Sequence, residues 1–271
     1  MEPVNSDGLC LCATPDATSA ISVANLLGAA RRRARGLAIL PYIFEVFAQK
    51  FAVNSASIPM ALVVAMQLLH LLLIFGLATG IGLLLAPKAG IELPYLQRWM
   101  NKTPSKVRPH TFRVAVIAGV IIGALTVLLL YAVILPRIPQ FPTEADVPLW
   151  KRLGVCIYGA INEELLMRLF LLSLVLWGLQ AIARRPARSS PTVFWIGNVL
   201  VALLFGAAYL PATASIIELT PFAIVSIIMV KGASGIVFGH LCWTRGLEAA
   251  MVAHLVSDLL IHVAGPTLFG R

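Results

Sequence analysis

Charge is what this chain most lacks. Asp, Glu, Lys and Arg supply 12% of its 271 residues, about half the share in a soluble domain. Too few charges remain to cover a water-facing surface, and hydrophobic residues reach 59%, which excludes an ordinary soluble domain. Cysteine is sparse as well. Cys10 and Cys12 form a lone C-x-C, and Cys156 and Cys242 lie in apolar runs. With no C-x-x-C pair, a structural zinc module is excluded, and buried free thiols are the better reading. There is no H-E-x-x-H motif either. The first thirty residues have no basic start followed by an apolar core, so no cleavable signal peptide is expected. Internal repeats and low-complexity tracts are absent from the sequence.

Long apolar runs are what is there. They predict spans at about 58–86, 113–135, 150–183, 191–210, 221–242 and 246–264. The fold class is all-α: a polytopic transmembrane helical bundle of about six to seven spans. Residues 1–57 form a separate region. A small, polar stretch ends in Arg31, Arg32, Arg33 and Arg35, and an apolar stretch follows, broken by Pro41, Glu45, Gln49 and Lys50. This reads as a basic arm and an interfacial or partial helix, ahead of a membrane bundle over 58–271.

The net charge of +9 invites a nucleic-acid reading, but its placement opposes one. Basic residues gather between the apolar runs: six Lys or Arg against one Glu over 88–113, then Arg184, Arg185 and Arg188. That is the bias left by membrane topology. The lipid bilayer is the implied partner, and nucleic acid is not. With the 88–113 loop in the cytoplasm, the 136–149 loop, carrying Glu144 and Asp146, falls outside.

Charges inside a span need a reason, because each costs roughly 2.5–3.5 kcal/mol at the centre of a transmembrane helix. From Leu153 to Ala183 there are three: Glu163, Glu164 and Arg168. Residues four apart share a helical face, so Glu164 and Arg168 can pair. Glu163 points elsewhere, without a local cation, and suits general acid–base work. The last span supplies His254 and Asp258, again four apart, with His262 near its end as an interfacial residue.

Two segments carry a family resemblance. E-E-x-x-x-R at Glu163, Glu164 and Arg168 resembles the first motif of the CPBP intramembrane proteases, a group that includes CAAX prenyl endopeptidases and bacterial Abi-type relatives. GIVFGHLCWTRGLEAAMVAHLVSD resembles the last conserved region, ending in H-x-x-x-N/D at His254 and Asp258. The similarity covers about 150–262. The middle motif, F-x-x-x-H, departs: LLFGAAYLP keeps Phe205 but has Tyr209 in place of the histidine. The resemblance implies a membrane-embedded endopeptidase acting on a membrane protein or peptide substrate. It makes Glu163 the base that activates water and gives His254 and Asp258 the oxyanion. Glu164 and Arg168 support the site. Tyr209 can donate a hydrogen bond but is a poor base, its phenol titrating at pH ~10.

No cofactor is required by this reading. Zinc stays open as an alternative, with Glu163, His254 and Asp258 as its ligands and His240 and His70 as unplaced extras; a glutamate-activated water is favoured. A rhomboid-like reading of Gly232-Ala233-Ser234-Gly235 fails, because too few residues separate it from His254 to hold a helix. Gly235 and Gly239 read instead as a helix-packing surface. The rival class is a non-catalytic scaffold, immunity or partner-binding protein. The expected location is a bacterial cytoplasmic (inner) membrane.

Overall fold

The structure is a computed structural model and describes residues 60–101, 108–139, 141, 144–183 and 190–270. The expected arm and interfacial helix over 1–57, with Cys10 and Cys12, lie outside the described residues.

Every regular element among the described residues is helical. The order is α1 (Met60–Ala89), α2 (Pro94–Asn101), α3 (Thr111–Arg137), α4 (Leu149–Ala183), α5 (Pro191–Ala214), α6 (Pro221–Arg245) and α7 (Leu247–Phe269). All but α2 are long and apolar enough to cross a membrane, α1 through its stretch Leu72–Ala89. The chain is a multi-pass membrane protein. Two starts follow the expected chemistry. Pro191 opens α5 behind Ser190, whose Oγ accepts from the Val193 N–H, and Pro221 opens α6 behind Thr220, whose Oγ1 accepts from the Ala223 N–H. A proline there forfeits only a donor that the helix leaves unused.

Two expectations need correction. Residues 88–113, read as a loop, contain the short amphipathic helix α2. Glu248 of α7 steadies its start, Oε1 accepting from the N–H groups of Tyr95 and Leu96 at 3.1 and 3.0 Å. The fourth span, expected over 191–210, does not stop ahead of Pro211. Helical bonding breaks at Tyr209, and one further turn, Leu210–Ala214, follows. Pro211 cannot continue a helix from inside it but fits the first turn of a new one.

Helix α5 packs on α6, α3 on α7, α1 on α4 and α6 on α7. The core between them holds Leu169, Leu172 and Leu176 of α4, Phe194 of α5, Phe238 and Leu241 of α6, and Ala249, Ala250 and Ala253 of α7. Outward-facing Leu72, Leu77, Leu84, Leu125 and Leu128 are exposed, as suits lipid contact. Lipid is as apolar as leucine, so the helices associate through close packing and polar contacts rather than through hydrophobic exclusion. Gly235 and Gly239 accordingly meet Ala202 and Asn198 of α5, and Asn198 Nδ2 donates to the Ile236 carbonyl at 3.0 Å. Ser234 lies inside α6, donating to the Lys231 carbonyl at 2.9 Å, which is no nucleophile turn.

One turn fixes the register of α7. Gly246 adopts φ +99°, a left-handed conformation that side chains resist. The next N–H, of Leu247, donates to the Glu92 carbonyl at 3.0 Å. The α6–α7 turn is thereby tied to the link between α1 and α2.

Candidate active site

Wide π-helical turns interrupt the helices where the charged residues sit. In α4 they span Gly159–Glu163 and Leu165–Leu172, on either side of Glu164, and in α7 Leu259–Ala264 follows Asp258 directly. Such turns are frequent at functional sites because an extra residue per turn re-aims the side chains. Here they bring α4 and α7 together around His254.

Glu164 is the hub of the buried half. It is fully buried, with Arg168 and His254 nearly so. Its Oε2 lies 3.2 Å from Arg168 Nε, and its Oε1 lies 2.7 Å from His254 Nδ1. The pair expected from the four-residue spacing is present, and it reaches a third partner. A carboxylate facing Nδ1 places a proton on that nitrogen and leaves Nε2 for the site. Aromatic faces complete the support. The Arg168 guanidinium lies 5.1 Å from the Phe205 ring centre and 5.8 Å from that of Phe238, and Phe238 stacks on His254 at 5.1 Å. The phenylalanine of the middle motif therefore covers a buried cation, which gives its presence there a physical reason.

Glu163 belongs to the other half and stays partly exposed. The Tyr209 hydroxyl donates to its Oε1. Its Oε2 has no hydrogen-bond partner and stands 3.7 Å from His254 Nε2. Asp258 Oδ2 is 3.4 Å from the same nitrogen. The backbone of Gly159 packs closely against these atoms. A Cβ there would lie 2.8 Å from Asp258 Oδ2, 3.7 Å from His254 Nε2 and 3.9 Å from Glu163 Oε1. Tyr209, His254 and Asp258 also line a cavity of about 200 Å³, mostly apolar, that runs between α3, α5, α6 and α7.

Glu163, Glu164, Arg168, Tyr209, His254 and Asp258 thus meet at one place. Other candidates do not. His240 stacks on Trp195 at 5.3 Å, in a separate aromatic group with Phe194 and Trp243. His70 is on α1, and its side chain lies outside the described residues. His262, expected to be merely interfacial, lines the cavity and holds Glu144 of the α3–α4 link, with Nδ1 2.9 Å from both carboxylate oxygens. Among the described residues, no group of three or more His, Cys, Asp or Glu side chains is arranged to hold a metal ion. The proposed zinc ligands already serve one another and their neighbours: Glu163 takes a proton donor from Tyr209, and His254 holds Glu164. As arranged, this set does not fit zinc.

Sequence reasoning missed two residues. Lys231 of α6 lines the cavity, and its ammonium stands 4.0 Å from the centre of the Tyr209 ring. It brings a cation to the tyrosine bonded to Glu163, from a helix that spacing along α4 does not reach. The signal was present, since a lysine inside an apolar span carries the same cost as the glutamates. Gly159 gave no such signal, because its role is an absent side chain.

Residues 145–260 match the model of a family described as type II CAAX prenyl endopeptidase Rce1-like. No curated protein and no solved structure matches the chain. The match takes in both motifs and the departing segment between them, with all six clustered residues. Over residues 145–260 the chain is thus similar to a family of CAAX prenyl endopeptidases, which supports the resemblance to the CPBP membrane proteases read from the motifs.

Proposed function

We propose that the protein is a membrane-embedded endopeptidase in which Glu163 activates the attacking water. One observation carries this reading: Oε1 of Glu163 is held by Tyr209 while Oε2 has no hydrogen-bond partner and stands 3.7 Å from His254 Nε2. A water beside Glu163 and His254 has one free carboxylate oxygen to accept its proton. The hydroxide oxygen adds to the peptide carbonyl carbon, and the carbonyl oxygen takes the negative charge. Glu163 then returns the proton to the departing amine nitrogen as the C–N bond breaks. His254 Nε2 and Asp258 border the same space and serve the oxyanion in their protonated, donating forms. Glu164 and Arg168 do not touch the reacting atoms; they fix the imidazole.

The substrates of this reading are membrane-associated proteins or peptides, and prenylation is not required by anything in the site. The setting is a bacterial cytoplasmic membrane, with basic loops inside. The test is cleavage of a peptide library, read by mass spectrometry, by the purified wild type and Glu163→Gln in detergent. Turnover by the wild type alone supports the assignment, and equal turnover by both overturns it.

A second reading has one observation in its favour: Tyr209 occupies the position of the motif histidine. It makes the chain a non-catalytic scaffold that binds a membrane partner. Cellular complementation with a Glu163→Ala and His254→Ala double variant separates the two. Full rescue selects the scaffold, whereas lost rescue at normal membrane abundance selects the enzyme.

A further inference from the structure

Lys231 stands about 15 Å along α6 from its first residue, at a rise of roughly 1.5 Å per residue. It is therefore well inside the span Pro221–Arg245. A cation at that depth is a functional candidate by default. Helical spacing puts Ala223, Ile227, Lys231, Ser234 and Phe238 on one stripe of α6, and all five line the cavity. Phe238 marks the catalytic end of the stripe through its stacking on His254. Ala223 and Ile227 mark an apolar end. Lys231 lies between them.

Its surroundings do not satisfy it. An ammonium has three N–H donors. No described residue accepts a hydrogen bond from Lys231 or forms an ion pair with it within 4.0 Å; its close neighbours are the ring faces of Tyr209 at 4.0 Å and Phe205 at 5.6 Å. The other acids near the cavity are engaged elsewhere: Glu164 with Arg168 and His254, Glu144 with His262, and Asp258 with His254. Glu163 Oε1 is taken by the hydroxyl end of Tyr209, while Lys231 covers the ring face. An anion entering this mostly apolar cavity therefore meets the Lys231 ammonium, which has no hydrogen-bonded or ion-paired partner among the described residues.

We propose that Lys231 is a specificity-determining residue that binds a carboxylate of the peptide substrate, beside the Tyr209 ring. This rests on the protease reading above. An extended peptide advances about 3.3–3.6 Å per residue. Lys231 and Glu163 contact the same tyrosine, so the bound carboxylate lies within a few residues of the bond presented to Glu163. Two sources share that chemistry: a free C-terminus, and an aspartate or glutamate side chain.

The test uses the full chain in detergent, carrying Glu163→Gln so that bound peptides stay intact. The probes are labelled apolar peptides made as free acids, as C-terminal amides, and as amides containing one aspartate. Fluorescence anisotropy reads their affinity. Adding Lys231→Met should weaken binding of at least one carboxylate-bearing set about ten-fold or more and leave the plain amides unchanged. Lys231→Arg should retain the preference, which separates lost charge from lost fold. Sensitivity of the free acids alone assigns the terminus, and sensitivity of the aspartate set assigns the side chain. Equal loss for all three sets, as for a residue that only shapes the cavity, overturns the proposal, as does no loss for any. Charge-selective binding in a protein whose wild type cuts nothing would leave Lys231 assigned and remove the protease reading. Cleavage without charge selectivity would do the reverse.

Discussion

The Tyr209 hydroxyl donates to Oε1 of Glu163, so this tyrosine is bonded to the proposed base itself. The tyrosine reaches this position because α5 breaks at residue 209 ahead of Pro211. It holds one carboxylate oxygen and leaves the other free for water. A hydrogen bond to a charged group is worth roughly 1.5–3 kcal/mol.

Tyr209→Phe should therefore lower kcat about ten-fold or more, since each 1.36 kcal/mol of barrier is about a factor of ten. KM should move little, because the hydroxyl addresses Glu163 and not the peptide. Tyr209→His restores both a donor and an acceptor, and should match or exceed the wild-type rate. Peptide cleavage at fixed enzyme concentration checks both. An unaffected Tyr209→Phe enzyme would show that the bond to Glu163 is irrelevant to turnover.

Arg168 and Glu163 should separate by stability. Breaking a buried ion pair from one side costs about 3–5 kcal/mol, and Arg168→Ala also strips the cation from the Phe205 and Phe238 faces. It leaves Glu164 fully buried with His254 as its remaining partner. The variant should melt well below the wild type in detergent. Arg168→Lys should rescue only part of this, because a compact ammonium cannot replace a planar guanidinium between rings. Glu163→Gln, at the partly exposed edge of the site, should melt near the wild type. A lower melting temperature for Glu163→Gln than for Arg168→Ala would contradict this division of labour.

How much of the molecule was legible in advance depends on the range of each interaction. The long helices were readable, because an apolar run of about 20 residues has few other fates. The Glu164–Arg168 and His254–Asp258 relationships were readable too, since both pairs stand four apart on one helix. Contacts between helices were not. Nothing in local spacing joins Glu164 to His254 across ninety positions, or Tyr209 to Glu163 across forty-six. Lys231 was legible as an oddity, and only the approach of α6 to α5 gives it Tyr209 as a neighbour. Helix α2 was hidden because a basic, polar segment reads as a loop until Glu248, far along the chain, caps its start.

Gly159 provides the sharpest test of where the water sits. Helix propensity favours alanine over glycine by up to about 1 kcal/mol, which offsets part of the cost of placing a methyl group at this buried position. The only obstruction near the new methyl group is polar: Asp258 Oδ2 at 2.8 Å, with His254 Nε2 and Glu163 Oε1 just beyond. Asp258 must swing aside, and its carboxyl then leaves the place beside His254 Nε2 where it borders the reacting water. Gly159→Ala should keep a melting temperature close to that of the wild type while kcat falls about a hundred-fold, the lower end of what positioned acid–base catalysis contributes. Thermal denaturation and peptide cleavage, measured on the same preparation, read the two quantities separately. A variant that melts normally and cuts at the wild-type rate would place the water somewhere other than between Glu163 and His254.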